Sequence, residues 1–98
     1  MVINQTREND QLTVTVSGRL DTTTAPQLEA EMKDALDDVK ELVIDFSDLD
    51  YISSAGLRIL LAIQKKMNKQ GSMLVKGSNE TIKEIFEVTG FTDILRLE

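Results

Sequence analysis

The stretch that decides how this chain is organised is Leu49-Asp50-Tyr51-Ile52-Ser53-Ser54-Ala55-Gly56-Leu57-Arg58. The apolar run Leu42–Phe46 comes just before it and predicts a buried strand. Apolar residues at helical spacing follow it over Leu57–Met67 and predict a helix that packs on that strand. Serine is a preferred helix N-cap, because its hydroxyl accepts a hydrogen bond from a free backbone N–H of the first turn. The stretch therefore predicts a strand–loop–helix corner with a serine hydroxyl at a helix N-terminus, a position that suits an anion such as a phosphate.

The residues before this corner predict a hairpin and then a helix. Apolar Leu12, Val14 and Val16 alternate with polar residues, which is typical of a half-buried strand, and Met1–Arg7 predicts an edge strand antiparallel to it. Hydroxyl residues and a proline over Thr22–Pro26 then indicate a helix start with hydroxyl caps. The apolar stripe of that helix consists of Leu28, Met32, Ala35, Leu36 and Val39.

The residues after the corner predict one more strand and one more helix. Gly71 is the expected end of the preceding helix, and Ser72–Lys76 reads as a short strand. Ser78-Asn79 predicts the cap of a helix that stops at Gly90, and Phe91–Leu97 predicts a short strand or a helical turn. We therefore expect an α/β fold with the order β-β-α-β-α-β-α and one mixed sheet of four or five strands, with the helices packed on it, in a single domain over residues 1–98.

Composition excludes several classes of function. The 98 residues include no cysteine and no histidine, which removes thiol chemistry, the commonest general base and the commonest transition-metal ligand. The formal net charge of −6 disfavours binding to the phosphates of nucleic acid. No apolar run approaches the roughly 20 residues of a membrane span. We expect a cytoplasmic protein that does not insert into membranes, uses no cofactor, and is a monomer or a weak dimer.

Acidic residues near the corner leave one catalytic alternative. Asp45, Asp48 and Asp50 follow one another closely, and paired carboxylates can hold Mg²⁺ for phosphoryl transfer. No serine–base pair and no glycine-rich phosphate loop accompanies them. We rank this alternative far below a binding function, and expect that the protein is not an enzyme.

The two adjacent serines favour a switch that acts on binding. One serine suffices to cap the helix, which leaves the other hydroxyl free beside Gly56, a residue that keeps the neighbouring backbone uncrowded. Phosphorylation would add about −1.5 to −2 charges, of which the helix N-terminus can stabilise only ~0.3–2 kcal/mol. A phosphate buried against a partner without a paired cation costs several kcal/mol. The fold should tolerate the phosphate, whereas an interface should not.

Four blocks of the chain resemble, in order, the successive blocks of a STAS domain, and most of all those of bacterial anti-sigma factor antagonists. They are Gly18–Asp21, Thr24–Leu28, Leu42–Phe46 and Asp50–Leu57. The resemblance covers nearly the whole chain. It implies a mixed sheet with helices packed against it and a protein that binds an anti-sigma factor, usually one with a serine-kinase domain, and so frees the sigma factor.

The resemblance also implies a set of functional residues. The kinase would phosphorylate Ser54 and end the binding, and a serine phosphatase would reverse this. Many antagonists carry Asp where this chain has Ser53, so Ser53 is the alternative acceptor. The partner-binding residues would be Asp21, Asp50, Ser53, Ser54, Ala55, Gly56, Leu57 and Arg58. The alternative function is a STAS subunit that docks, without phosphorylation, into a lipid-transport complex or a stress-signalling assembly.

Overall fold

The computed structural model describes residues 1–98 and contains five strands and three helices. The elements are β1 (Val2–Glu8), β2 (Gln11–Leu20), α1 (Ala25–Ala35), β3 (Glu41–Asp45), β4 (Leu49–Ile52), α2 (Ser54–Gln70), β5 (Ser72–Lys76), α3 (Glu80–Val88) and a final 3₁₀ turn (Phe91–Asp93). The α/β class predicted from the sequence is confirmed. No helix is both long enough and apolar enough to cross a bilayer.

The sheet is mixed, and β2 is its longest strand. β1 and β2 form the expected antiparallel hairpin, in which Glu8 pairs with Gln11. β2 pairs in parallel with β3 over Gln11–Thr15, and β3 pairs in parallel with β5. β2, β3 and β5 run parallel because helical crossovers connect them. β4 follows β3 after three residues and continues in the same direction beside the later part of β2.

One strand was not expected. Residues 49–52, which the sequence analysis placed in a loop, form β4, and β4 pairs in parallel with the last residues of β2. The register shifts between Gly18 and Arg19, so β2 bends where it changes neighbour from β3 to β4. Leu49 and Ile52 are buried at the two ends of β4, a spacing of three that does not show the alternation typical of a strand. The observed order is therefore β-β-α-β-β-α-β-α.

Two of the predicted helix ends are confirmed by contacts. Asn79 caps α3, since its Oδ1 accepts a hydrogen bond from Ile82 N at 2.8 Å. Gly71 ends α2 at a crowded point, because a Cβ there would overlap the backbone carbonyl of Lys40. That carbonyl accepts a hydrogen bond from Ser72 N at 2.8 Å as β5 begins. Glycine is required at this position for close approach.

The start of α1 differs from the prediction. No threonine hydroxyl caps the helix. Thr24 Oγ1 instead accepts from Asp21 N at 2.9 Å and donates to Arg19 O at 2.7 Å. The carboxylate of Asp21 accepts from the backbone N–H groups of Thr23 and Thr24, at 3.0 Å and 3.2 Å. The side chains of Asp21 and Thr24 thus provide hydrogen-bond partners for the backbone groups of the loop between β2 and α1. These bonds fix the conformation of the loop.

Candidate partner-binding site

The serine corner lies at the carboxyl end of β2. Leu20, the last residue of β2, pairs with Ile52, the last residue of β4. Ser53 N then donates to Leu20 O at 2.9 Å, and α2 begins at the next residue. α1 begins beside the same strand end, since Ala25 N donates to Asp21 O at 2.8 Å. The two helices therefore start side by side, and the first turn of α2 directs its backbone N–H groups toward this edge.

Gly56 lets α2 pack against the two strand ends. A Cβ at this position would lie 2.7 Å from Ile52 Cγ1, 2.8 Å from Leu20 Cγ and 3.0 Å from Leu20 O. Since real side chains do not approach so closely, any larger residue would push the first turn of α2 away from the sheet. The sequence predicted that Gly56 keeps the backbone beside the serines uncrowded; the residue is buried, and its missing side chain makes room for Leu20 and Ile52. Its role is to hold the serine corner against β2.

The two serines differ in accessibility. Ser53 is the N-cap residue of α2, but its hydroxyl makes no cap hydrogen bond, and its Oγ is buried without a partner. The predicted serine hydroxyl cap is therefore wrong. Ser53 O accepts the first hydrogen bond of the helix, from Leu57 N at 2.9 Å, and the N–H groups of the first turn have no side-chain cap. Ser54 is the first residue of the helix and is exposed. The freely accessible hydroxyl of the pair is that of Ser54.

Asp21 lies beside the corner as an ionised carboxylate. The backbone N–H of Thr24 holds the pKa of Asp21 below its usual value, helped by the N–H of Thr23 and the hydroxyl of Thr24. The guanidinium of Arg19 adds to this, with Nε 3.7 Å from Oδ2 of Asp21. The same guanidinium lies over the ring of Tyr51, 4.6 Å from its centroid. A planar cation and a fixed anion thus border the corner.

The Arg19–Tyr51 stack was missed from the sequence. Arg19 and Tyr51 are cross-strand partners in the pairing of β2 with β4. Directly paired residues on neighbouring strands have side chains within reach of each other. The stack could therefore be predicted only from the register of β4 against β2, and no pattern in the sequence revealed β4.

Of the other residues that were predicted to contact a partner, some are exposed and some are buried. Asp50 and Arg58 are exposed and Ala55 is half-buried. Gly56 and Leu57 are buried, with Leu57 only 7% exposed. These two residues pack into the chain's own core, so the surface open to a partner consists of their neighbours. Both residues support the packing of α2 in the free chain, and their assignment as contact residues stays a prediction.

The aspartates of the magnesium alternative do not converge. No group of three or more acidic side chains lies close enough together to hold a metal ion. Asp45 Oδ1 instead accepts from Ser47 Oγ at 2.6 Å and from Ser47 N at 2.9 Å. The Ser47 hydroxyl and N–H hold the pKa of Asp45 below its usual value, and Lys76 contributes. This carboxylate closes the turn after β3.

Known proteins resemble this chain in both sequence and structure. A relative in Listeria monocytogenes, an anti-sigma-B factor antagonist, is 33% identical over 98 residues, which span 94% of this chain and 82% of the relative. An anti-sigma factor antagonist from Mycobacterium paratuberculosis has a crystal structure that matches with a TM-score of 0.89 at 29% identity, over 98% of this chain and 83% of the other.

A more distant structure shares the fold. SpoIIAA, a Bacillus cell fate determinant solved in its phosphorylated form, matches with a TM-score of 0.77 at 16% identity, over 99% of this chain and 91% of SpoIIAA. The model of the STAS domain matches residues 2–98. With the sheet order and the serine corner described above, these matches lead to one conclusion: the chain belongs to the STAS domain family.

Proposed function

We propose that this protein is an anti-sigma factor antagonist switched at Ser54. In its unmodified form it binds an anti-sigma factor that carries a serine-kinase domain, and the sigma factor is freed. Phosphorylation of Ser54 ends the binding, and a serine phosphatase restores it. The protein acts in this cycle as a regulatory binding partner rather than as an enzyme. The observation that carries the proposal is the exposed hydroxyl of Ser54 on the first residue of α2, next to a buried Ser53 hydroxyl.

The relatives support the choice of partner. The Listeria and Mycobacterium proteins are both anti-sigma factor antagonists, and the chain covers more than four-fifths of each. A common fold alone would carry little weight, because one fold hosts many functions. Sequence identity of 29–33% over nearly the whole chain gives the proposal a firmer basis.

The position of Ser54 supports a switch that leaves the fold intact. Its side chain does not contribute to the core, and a phosphate there would meet the N-terminus of a 17-residue helix. The helix N-terminus stabilises an anion by ~0.3–2 kcal/mol, which offsets repulsion from the carboxylates of Asp21 and Asp50. A partner that covered the phosphate would have to remove it from water, at a cost of several kcal/mol. Phosphorylation therefore destabilises the complex with the partner and leaves the fold of the free chain intact.

The choice between the two serines rests on access. A kinase must bring its nucleotide's γ-phosphate in line with the attacking hydroxyl. Ser54 offers that hydroxyl to solvent, whereas Ser53 Oγ is buried. We therefore assign the modification to Ser54 and expect Ser53 to stay unmodified.

A capture experiment tests the proposal. The immobilised chain is incubated with lysate of its own organism, and then washed with or without Mg-ATP. We expect it to capture an anti-sigma factor with a serine-kinase domain, and ATP to release that protein while the chain gains 80 Da. The Ser54→Ala variant should keep the partner after ATP, and Ser53→Ala should release it as the wild type does. Release of the partner from Ser54→Ala would overturn the proposal. Capture of a transport or scaffold subunit without any phosphorylation would favour the docking alternative.

A further inference from the structure

Helices α1 and α2 lie side by side with the same direction. Both begin at the carboxyl end of β2, next to Leu20 and Asp21. At the other end, Gln70 Nε2 donates to Leu36 O at 2.8 Å and to Val39 O at 2.7 Å, which ties the last turn of α2 to the loop after α1. The line between the helices therefore runs from the serine corner to the opposite edge of the sheet.

An open groove follows this line and encloses about 510 Å³. Its walls carry Pro26 and Ala30 of α1 and Ile59 and Ala62 of α2. Pro26, Ala30 and Ala62 are exposed and Ile59 is half-buried. The groove exists because small alanines occupy positions where a longer side chain would close it. Its length of two helical turns is roughly 10 Å, which matches the apolar face of a short helix.

The charges along the groove change from one end to the other. Glu29 lies in the half nearer the serine corner. Lys33 and Lys66 lie together at the far end, where Lys66 Nζ is 3.5 Å from Lys33 O. Two lysines at one end of the groove, one on each wall, contrast with a chain whose net charge is −6. The two lysines would be complementary in charge to an acidic side chain of a partner bound at this end.

We infer that this groove seats an amphipathic helix of the anti-sigma factor, with its apolar side chains between Ala30 and Ala62 and a carboxylate facing Lys33 and Lys66. The inference rests on the proposed function, since it extends the contact surface of the same partner. Ser54 and Ile59 stand on the same helix about 7–8 Å apart along its axis. The groove therefore begins about one and a half helical turns from the serine corner along α2.

Crosslinking tests the position of the partner, and the absence of native cysteine makes the label unique. Single cysteines are placed at Ala30, Ala62 and Arg58, and a control at exposed Glu84 on α3, which does not line the groove. Each variant carries a benzophenone and is irradiated in complex with the kinase-domain protein captured in the absence of ATP. Adducts with this protein are expected at positions 58, 30 and 62 and not at 84. An adduct at 58 alone would overturn the inference.

Affinity measurements test the chemistry of the groove. Lys33→Glu and Ala62→Arg should each weaken binding of the same kinase at least tenfold, because one reverses a charge at the far end of the groove and the other fills the groove. The matched control is Lys83→Glu, a charge reversal at an exposed lysine of α3, and it should change the affinity less than twofold. Circular dichroism and thermal melting confirm that the variants are folded.

The two proposals fail in different ways. If the kinase binds and Ser54→Asp abolishes binding, while Lys33→Glu and Ala62→Arg bind as the wild type does, only the groove is refuted. If no kinase-domain protein is captured by the wild type, the proposed function fails and the groove assignment falls with it.

Discussion

Ser53 N donates a hydrogen bond of 2.9 Å to the carbonyl of Leu20, so the first turn of α2 is joined to the last residue of β2. Gly56 packs on the same leucine from one turn further along the helix. These two contacts fix the direction of α2 and hold Ser54 outward on its first turn. A modification of Ser54 can therefore change the surface without changing the packing beneath it.

Gly56→Ala should destabilise the protein although alanine is the better helix former. The added Cβ would overlap Ile52 Cγ1 and Leu20 Cγ, and overpacking of this kind costs about 1–3 kcal/mol. The gain in helix propensity offsets at most roughly 1 kcal/mol. Thermal unfolding should show a lower Tm, by several degrees. An unchanged or higher Tm would mean that α2 does not pack against Leu20 as described.

Ser53→Ala should leave stability nearly unchanged. The buried hydroxyl has no hydrogen-bond partner, so its removal deletes no interaction and relieves a desolvated polar group. We expect the free energy of unfolding in urea to stay within about 0.5 kcal/mol of the wild type, or to rise. A loss near the ~1 kcal/mol typical of a serine N-cap would show that the hydroxyl does cap α2.

Asn79 provides a contrasting case, because its side chain does cap a helix. Oδ1 accepts from Ile82 N, and Nδ2 donates to Leu49 O at 3.2 Å and to Asp50 O at 3.3 Å. Asn79→Ala should cost about 1–3 kcal/mol, through the lost cap and the lost link to β4. Asn79→Asp keeps the acceptor and loses both donors, so its loss should be smaller than that of the alanine variant. Equal stability of all three proteins in urea unfolding would contradict the assigned contacts.

Asp21 should make stability depend on pH in the acid range. Its pKa is lowered in the folded state, first by the N–H of Thr24, so folding favours the ionised form. Its contribution is present above the unfolded value of about 3.9 and is lost as the pH falls through the lower folded value. Asp21→Asn removes this contribution. The stability difference between wild type and variant should shrink as the pH is lowered from about 5 to 2.

A direct titration checks the same point. The ¹³C carboxyl resonance of Asp21 should titrate below about 3.9 in the wild type. In Thr24→Val the side-chain hydroxyl is absent while the backbone N–H remains, so the pKa should rise toward its usual value without reaching it. A wild-type value at or above the usual one would refute the hydrogen bonds of this loop.

The sequence predicted those parts of the fold that depend on local pattern. The alternation of Leu12, Val14 and Val16 identified β2, because side chains on a strand face the core at every second position. Asn79 was predicted as a cap because the residue type and its place before an apolar helix suffice for that inference. The serine corner was placed correctly at the start of α2 by the same kind of reasoning.

The parts that were missed depend on tertiary contacts. β4 has four residues, and its partner in β2 lies about 30 positions earlier, so no local period marks it. The Arg19–Tyr51 stack follows from that register and was missed with it. The burial of Gly56 and the difference between Ser53 and Ser54 are set by how α2 lies on the sheet. Two adjacent serines look alike in a sequence and differ only after packing.

The most direct test compares the affinity of one kinase for two forms of this chain, the unmodified protein and the protein phosphorylated at Ser54 and verified by mass. Calorimetric titration should show that the phosphorylated form binds at least about 100-fold more weakly, equivalent to a loss of roughly 2.7 kcal/mol. Both forms should keep the same Tm within a few degrees, which separates a surface effect from unfolding. Equal affinity of the two folded forms for the kinase would contradict the switch at Ser54.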